Sequence, residues 1–172
     1  MKSIVIYSSL TGNTKQVAET IARVLPADTP CVSMLELPSD MASYDLVFAG
    51  FWVDKGTANK EARDVLGTLH NPHIALFATA GVPPQMAHAK ESLINAANCL
   101  PDGVEPVGTF ICQGKVDPKV IEMMYKMFPK GHSHGQSADR DARHKQAAVH
   151  PNEDDFKAAQ DFAQHILAKL ER

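Results

Sequence analysis

The residues of this 172-residue chain best suited to chemistry sit together near its start, in Ser9-Leu10-Thr11-Gly12-Asn13-Thr14. Three hydroxyls and one amide surround a glycine, and no Lys or Arg falls between Ser8 and Thr14. Such a set suits an anion held by neutral donors. Gly12 leaves room where a phosphate must approach the backbone closely. A nucleoside-triphosphatase loop would need Gly-Lys-Ser/Thr and a metal, so that chemistry does not fit. Capping a helix requires one such residue, and four around a glycine exceed that need.

The elements on either side explain how the loop is held. Ile4, Val5 and Ile6 form the short apolar run of a fully buried parallel strand, and Val17, Ile21, Val24 and Leu25 recur at helical spacing. The loop is therefore a strand-to-helix turn, which aims backbone N–H groups and the positive end of a helix dipole at one spot.

From Val5 to Ile21 the residues meet a complete pattern: aliphatic, aliphatic, aromatic, any, Ser/Thr, two of any, Gly, any, Thr, three of any, Ala, two of any, aliphatic. In this the chain resembles the flavodoxin family. The resemblance implies a three-layer α/β/α sandwich and binding of flavin mononucleotide (FMN), with Ser9, Leu10, Thr11, Gly12, Asn13 and Thr14 around its phosphate.

Further strands are expected at Cys31–Met34, Leu46–Gly50, Ile74–Ala78 and Val107–Cys112. Helices are expected at about 59–69 and 84–97. Five apolar strands alternating with helices predict an α/β fold with a five-stranded parallel sheet, and the resemblance implies the flavodoxin-like order 2-1-3-4-5. Ligands of such sheets bind beyond the carboxyl ends of the strands where the order reverses. That rule brings the loops after strands one, three, four and five to one crevice.

At this crevice the only tryptophan, Trp52, sits just after the third strand where flavodoxins place flavin-stacking residues, and Trp52 or its neighbour Phe51 is expected to contact the flavin ring; the plainer alternative is that one of them is simply core. Val53, Asp54, Lys55 and Gly56 complete that loop. Thr79, Ala80, Gly81 and Val82 match the family's third flavin loop in position but carry no aromatic residue. One ring face is then left to Val82 and Pro83, or to a later segment. Gln113 and Lys115 follow the fifth strand. A lysine at 55 or 115 near the ring's polar edge would favour the anionic reduced flavin; a solvated lysine would do nothing.

Asn152 predicts the cap of a last helix, with Glu153, Asp154 and Asp155 at its positive end and Phe156, Ala159, Phe162, Ala163, Ile166, Leu167 and Leu170 inward. The chain then reads as one domain over 1–172, with an insertion at about 116–151. A helix capped by Asp117 and opened by Pro118 carries Val120, Ile121, Met123, Met124, Tyr125, Met127 and Phe128, too apolar for free solvent. It either packs over the domain or docks onto another chain. A second helix is expected over Ser137–Val149. His132, His134, His144 and His150 lack the cysteines or close carboxylates of a metal site, so no metal is assigned.

Formal charge is −3 and sequence pI near 6.2, which points to neither nucleic acid nor a membrane surface. Cys31, Cys99 and Cys112 have no disulfide or C-x-x-C spacing. No apolar run spans a bilayer and no leader is visible, so a cytoplasmic protein is expected. Oligomeric state is not readable.

The stretches Gly50–Gly56, Cys112–Pro118, Ala142–Lys145 and His150–Glu153 also resemble a flavodoxin subgroup from anaerobic bacteria, with members similar to the accessory flavoprotein associated with bilirubin reductase. That implies an electron carrier without catalytic residues of its own. Its partner would be a reductase docking near the flavin and the insertion. The alternative is an FMN-dependent NAD(P)H oxidoreductase acting on quinone-like or other small acceptors.

Overall fold

A computed structural model describes residues 1–171. Five parallel strands form the sheet: β1 (Ser3–Tyr7), β2 (Cys31–Ser33), β3 (Leu46–Asp54), β5 (His73–Ala80) and β6 (Gly108–Gln113). They lie side by side as β2-β1-β3-β5-β6. A two-residue strand, β4 (Thr57–Ala58), turns back antiparallel on the end of β3. Leaving β4 aside, this is the expected order 2-1-3-4-5, and the chain reverses direction across the sheet between β1 and β3.

Alternation along the strands builds two cores, because neighbouring side chains of a strand point to opposite faces. Ile4, Ile6, Val47, Ala49, Phe51, Ile74 and Leu76 face one side, beneath α2 (Lys60–Leu66) and α3 (Ala87–Ala97). Val5, Leu46, Phe48, Ala75, Phe77 and Cys112 face the other, beneath α1 (Asn13–Ala22) and α6 (Glu153–Leu170). The second core is tight at Gly50: a Cβ there would stand 2.1 Å from Phe77 Cζ.

Helix limits depart from the sequence reading where side chains have other duties. Asn59 precedes α2 with extended backbone, its amide nitrogen donating to Ser8 Oγ at 2.8 Å instead of continuing the helix. Residues 84–86 form a turn, with Met86 N donating to Pro83 O, so α3 opens only at Ala87. Between β6 and α6 lie α4 (Pro118–Met127) and α5 (Ala138–Ala147), capped by Asp117 and Ser137. Asn152 caps α6 in a reciprocal capping box with Asp155. No described helix is long and apolar enough to cross a membrane.

Candidate functional site

The turn after β1 is built to leave donors free. Gly12 adopts φ 93° and stands at the N-cap of α1, where it offers no capping side chain, and no acid lies in the first helical turn. Gly12 N donates to Ser9 Oγ at 3.1 Å, which curls the loop. Among the described residues, the N–H groups of Leu10, Thr11, Asn13 and Thr14 have no protein acceptor. They lie at the positive end of a ten-residue helix, a set of neutral donors suited to an anion.

Other elements fasten this loop to the sheet and to the segment leaving β6. Thr14 is buried, its hydroxyl 2.9 Å from that of Thr79 at the end of β5. Asn13 reaches across the crevice, its Nδ2 donating to Lys115 O at 2.8 Å. Gly114 makes that approach possible, since a Cβ there would meet Asn13 Nδ2 at 2.9 Å. Gly114 N donates to Ala80 O and Lys115 N to His150 O, both within 2.9 Å, so the segment is pinned from two sides. His150 Nδ1 in turn lies 2.5 Å from Asp155 Oδ2 at the start of α6.

The result is a cleft of about 110 Å³ walled by Ser9, Leu10, Thr11, Asn13 and Thr14, by Trp52 and Val53, by Thr79, Ala80 and Gly81, and by Gly114 through Asp117. A hollow of about 200 Å³ continues it along Thr11, Asn13, Lys115, Asp117 and Pro118. Across Trp52 a second cleft of about 440 Å³ lies against Leu10, Ser33, Leu35, Asp54 and Asn59.

Of the two aromatic candidates, Trp52 is half-buried and forms a wall, whereas Phe51 is fully buried in the core under α2 and α3. Strand alternation decides this, because β3 runs on to Asp54 and its neighbours must diverge. The same extension places Trp52 within the strand, not after it. Lys55 and Gly56, at φ 51° and 78°, form the two-residue turn between β3 and β4. That turn is held toward α3, Asn95 Nδ2 donating to Gly56 O at 2.8 Å, and neither residue walls the cleft. Asp54 lies in the cleft beyond Trp52.

Val82 and Gln113 also stand outside the walls. Gln113 is buried and supports the loop after β5 from behind, its amide nitrogen 3.3 Å from Gly81 O. Of the residues that wall the cleft, sequence reasoning brought Gly114 to the crevice only as part of the loop after the fifth strand and did not place Val116 and Asp117 there. A Cβ on Gly81 would come within 2.6 Å of Val116 Cγ2, so Val116 closes over the loop that lacks an aromatic. Gly114 and Asp117 flank the predicted Lys115, but no local pattern announces that Val116 folds back.

Two of the three thiols are poorly suited to nucleophilic work: burial pushes Cys31 up to about 11, with Glu19 adding to it, and pushes Cys112 far above the ordinary thiol range, helped by Asp155. Among the described residues no three His, Cys, Asp or Glu stand close enough to hold a metal ion. The ring of His132 stacks on Phe128 at 4.6 Å.

A family model described as a flavodoxin domain matches residues 4–164. The chain is 36% identical over 176 residues to a protein of Clostridioides difficile (strain CD3), with 98% of each chain covered. It is 34% identical over 179 residues to one of Clostridium symbiosum (strain WAL-14163), with 94% of each covered. Both relatives are named flavodoxin-like domain-containing protein BilS. Among solved structures, a flavodoxin of Streptococcus pneumonia TIGR4 aligns with a TM-score of 0.57 at 15% identity, over 98% of this chain and 99% of that one. A flavoprotein of Lactobacillus acidophilus NCFM, solved in complex with FMN, aligns with a TM-score of 0.52 at 18% identity, over 64% of this chain and 93% of that one. At such identities these two structures speak for the fold.

Proposed function

This chain belongs to the flavodoxin family, and on that premise we propose that it binds FMN in the crevice beyond β1, β3 and β5 and carries electrons to a partner reductase in the cytoplasm. The observation that carries the reading is the loop at Gly12, where four backbone N–H groups, without acceptors among the described residues, lie at an uncapped helix start that has no acid in its first turn. A phosphate monoester fits that donor set, because the dipole and the N–H groups favour negative charge there.

Bound flavin supplies one- and two-electron transfer at an otherwise redox-inert surface. The protein's part is to hold and shield it. Ser9, Thr11 and Asn13 would hold the phosphate, while Trp52 and Val116, both lining the cleft, offer apolar cover. Lys115 is exposed at the rim and offers positive charge to a reduced, anionic ring. Lys55 points its turn toward α3, so Lys115 is the better candidate for tuning the potential.

The second reading, an NAD(P)H-dependent oxidoreductase, draws on the cleft of about 440 Å³ behind Trp52, which offers room for another small molecule. One experiment separates the readings. FMN-loaded protein is reduced anaerobically with dithionite while visible spectra are recorded, then challenged with NADPH and NADH as sole reductants. Reduction in one-electron steps by dithionite, with none by nicotinamides, is expected of the carrier. Rapid reduction by NADPH or NADH would make it an enzyme, and failure to retain FMN would remove both readings.

A further inference from the structure

Charge is divided unevenly over this chain. Residues 115–150 hold seven lysines and arginines against four acids, a formal +3, whereas the whole chain carries −3, leaving −6 on the remainder. The acids of that segment are partly engaged: Asp117 accepts from Lys119 N to cap α4, and Asp141 accepts from Tyr125 Oη at 2.9 Å. Among the described residues, Lys126 is the only one of the seven cations within ion-pair distance of a carboxylate, Glu122 at 2.6 Å. Lys115, Lys119, Lys130, Arg140, Arg143 and Lys145 have no carboxylate partner among the described residues.

The helix α4 divides its faces cleanly. Val120, Ile121, Met124, Tyr125 and Phe128 are half-buried, whereas Lys119, Met123 and Met127 follow one another at four-residue steps along an exposed row. Met123 and Met127 are 54% and 66% exposed and stand one turn apart, an adjoining apolar pair and not a single exposed side chain. Lys130 extends the row beyond the helix end. The helix begins directly after Lys115, Val116 and Asp117, which wall the crevice, so whatever sits on this row sits beside the crevice.

We propose that the Lys119–Met123–Met127 row, with Lys130, is the docking surface for a protein partner that presents an acidic patch with an apolar centre. The proposal rests on the electron-carrier reading above and names the chemistry of its partner. Adaptable thioether side chains between lysines suit a surface that pairs charge at its rim and excludes water at its middle. The charge division selects a protein. An extended polyanion, whether nucleic acid or anionic bilayer, would also meet the −6 of the remaining surface, while a local acidic patch meets only the basic segment.

The test is a titration of ¹⁵N-labelled, FMN-loaded protein with cytochrome b5, an acidic haem protein. Both partners are net negative, so repulsion of whole molecules would strengthen binding as salt rises. Patch docking instead predicts shifts concentrated on residues 118–130 and an affinity falling about tenfold from roughly 20 mM to roughly 200 mM salt. Lys119→Glu with Lys130→Glu should abolish the shifts and Lys119→Gln with Lys130→Gln should weaken them, whereas Lys90→Glu on α3 should leave them in place. Shifts mapping elsewhere, or affinity rising with salt, would overturn the proposal. So would equal or tighter engagement of α4 by phosphatidylglycerol vesicles or a DNA duplex, or concentration-dependent shifts of α4 with no cytochrome added, which would assign the row to a second copy of the chain. Protein that stays colourless with FMN removes the carrier premise; yellow protein whose α4 signals stay still removes the docking surface alone.

Discussion

Gly12 and the pair Phe51–Trp52 show how single residues divide their work between fold and site. A Cβ at Gly12 meets nothing within 4 Å, so the obstacle to a side chain there is the backbone, which sits at φ 93°. Gly12→Ala is therefore expected to cost roughly 1–2 kcal/mol of stability by urea denaturation. FMN affinity should fall as well, because relief of that strain would turn the N–H groups away. At the neighbouring strand the expected effects separate. Phe51→Ala removes a fully buried ring and should cost about 3–5 kcal/mol, with FMN binding lost only through unfolding. Trp52→Ala, at a half-buried wall of the cleft, should leave the denaturation midpoint nearly unchanged while weakening FMN about tenfold or more in a fluorescence-quenching titration. Equal effects of the two substitutions on stability and binding would contradict this division.

Between elements, α4 and α5 are joined by contacts that respond to pH. Tyr125 of α4 donates to Asp141 of α5 and lies against the ring of His144, 6.0 Å between centroids. Among the described residues neither nitrogen of His144 has a partner, and burial, followed by the nearby Arg140 guanidinium, holds its pKa below the ordinary histidine value. The packed ring stays neutral where a freed ring would take a proton. The pairing is therefore at full strength above about pH 6.5 and weakens as pH falls from there toward the lowered value. Hydrogen exchange at residues 118–147, corrected for intrinsic rates, should accelerate at about pH 5.5 relative to about pH 7.5, and His144→Phe should remove most of that difference. The start of α6 is a second junction. Asn152→Ala breaks its capping box and should cost about 1 kcal/mol by denaturation.

In the whole molecule, the crevice is a meeting of parts remote in sequence. Asn13 and Lys115 are 102 positions apart yet share a 2.8 Å hydrogen bond. A ligand seated among them binds only the folded chain, so saturating FMN should raise stability by about 2.7 kcal/mol at a free concentration of 100 times Kd. Thermal melting with and without FMN measures this, and riboflavin, which lacks the phosphate, should give a much smaller rise. An equal rise with riboflavin would mean that the loop at Gly12 does not read the phosphate.

The strands, the turn at Gly12 and the caps of α4 and α6 were legible in the sequence, because each depends on neighbours along the chain: apolar runs, a glycine among hydroxyls, Asp117 before Pro118, Asn152 before three acids; the order of the strands came from the family resemblance. The family resemblance rested on the same local pattern from Val5 to Ile21. Which aromatic faces the crevice could not be read, since it turns on how far β3 extends, and its pairing with β5 runs past Gly50 through Trp52 opposite Thr79. Nor could the cover over the loop after β5, because Val116 reaches Gly81 only once Gly114 and Lys115 have been pinned to Ala80, Asn13 and His150. Local pattern decides what a segment becomes; which side chain closes a cavity depends on hydrogen bonds between segments that only the assembled fold brings within reach.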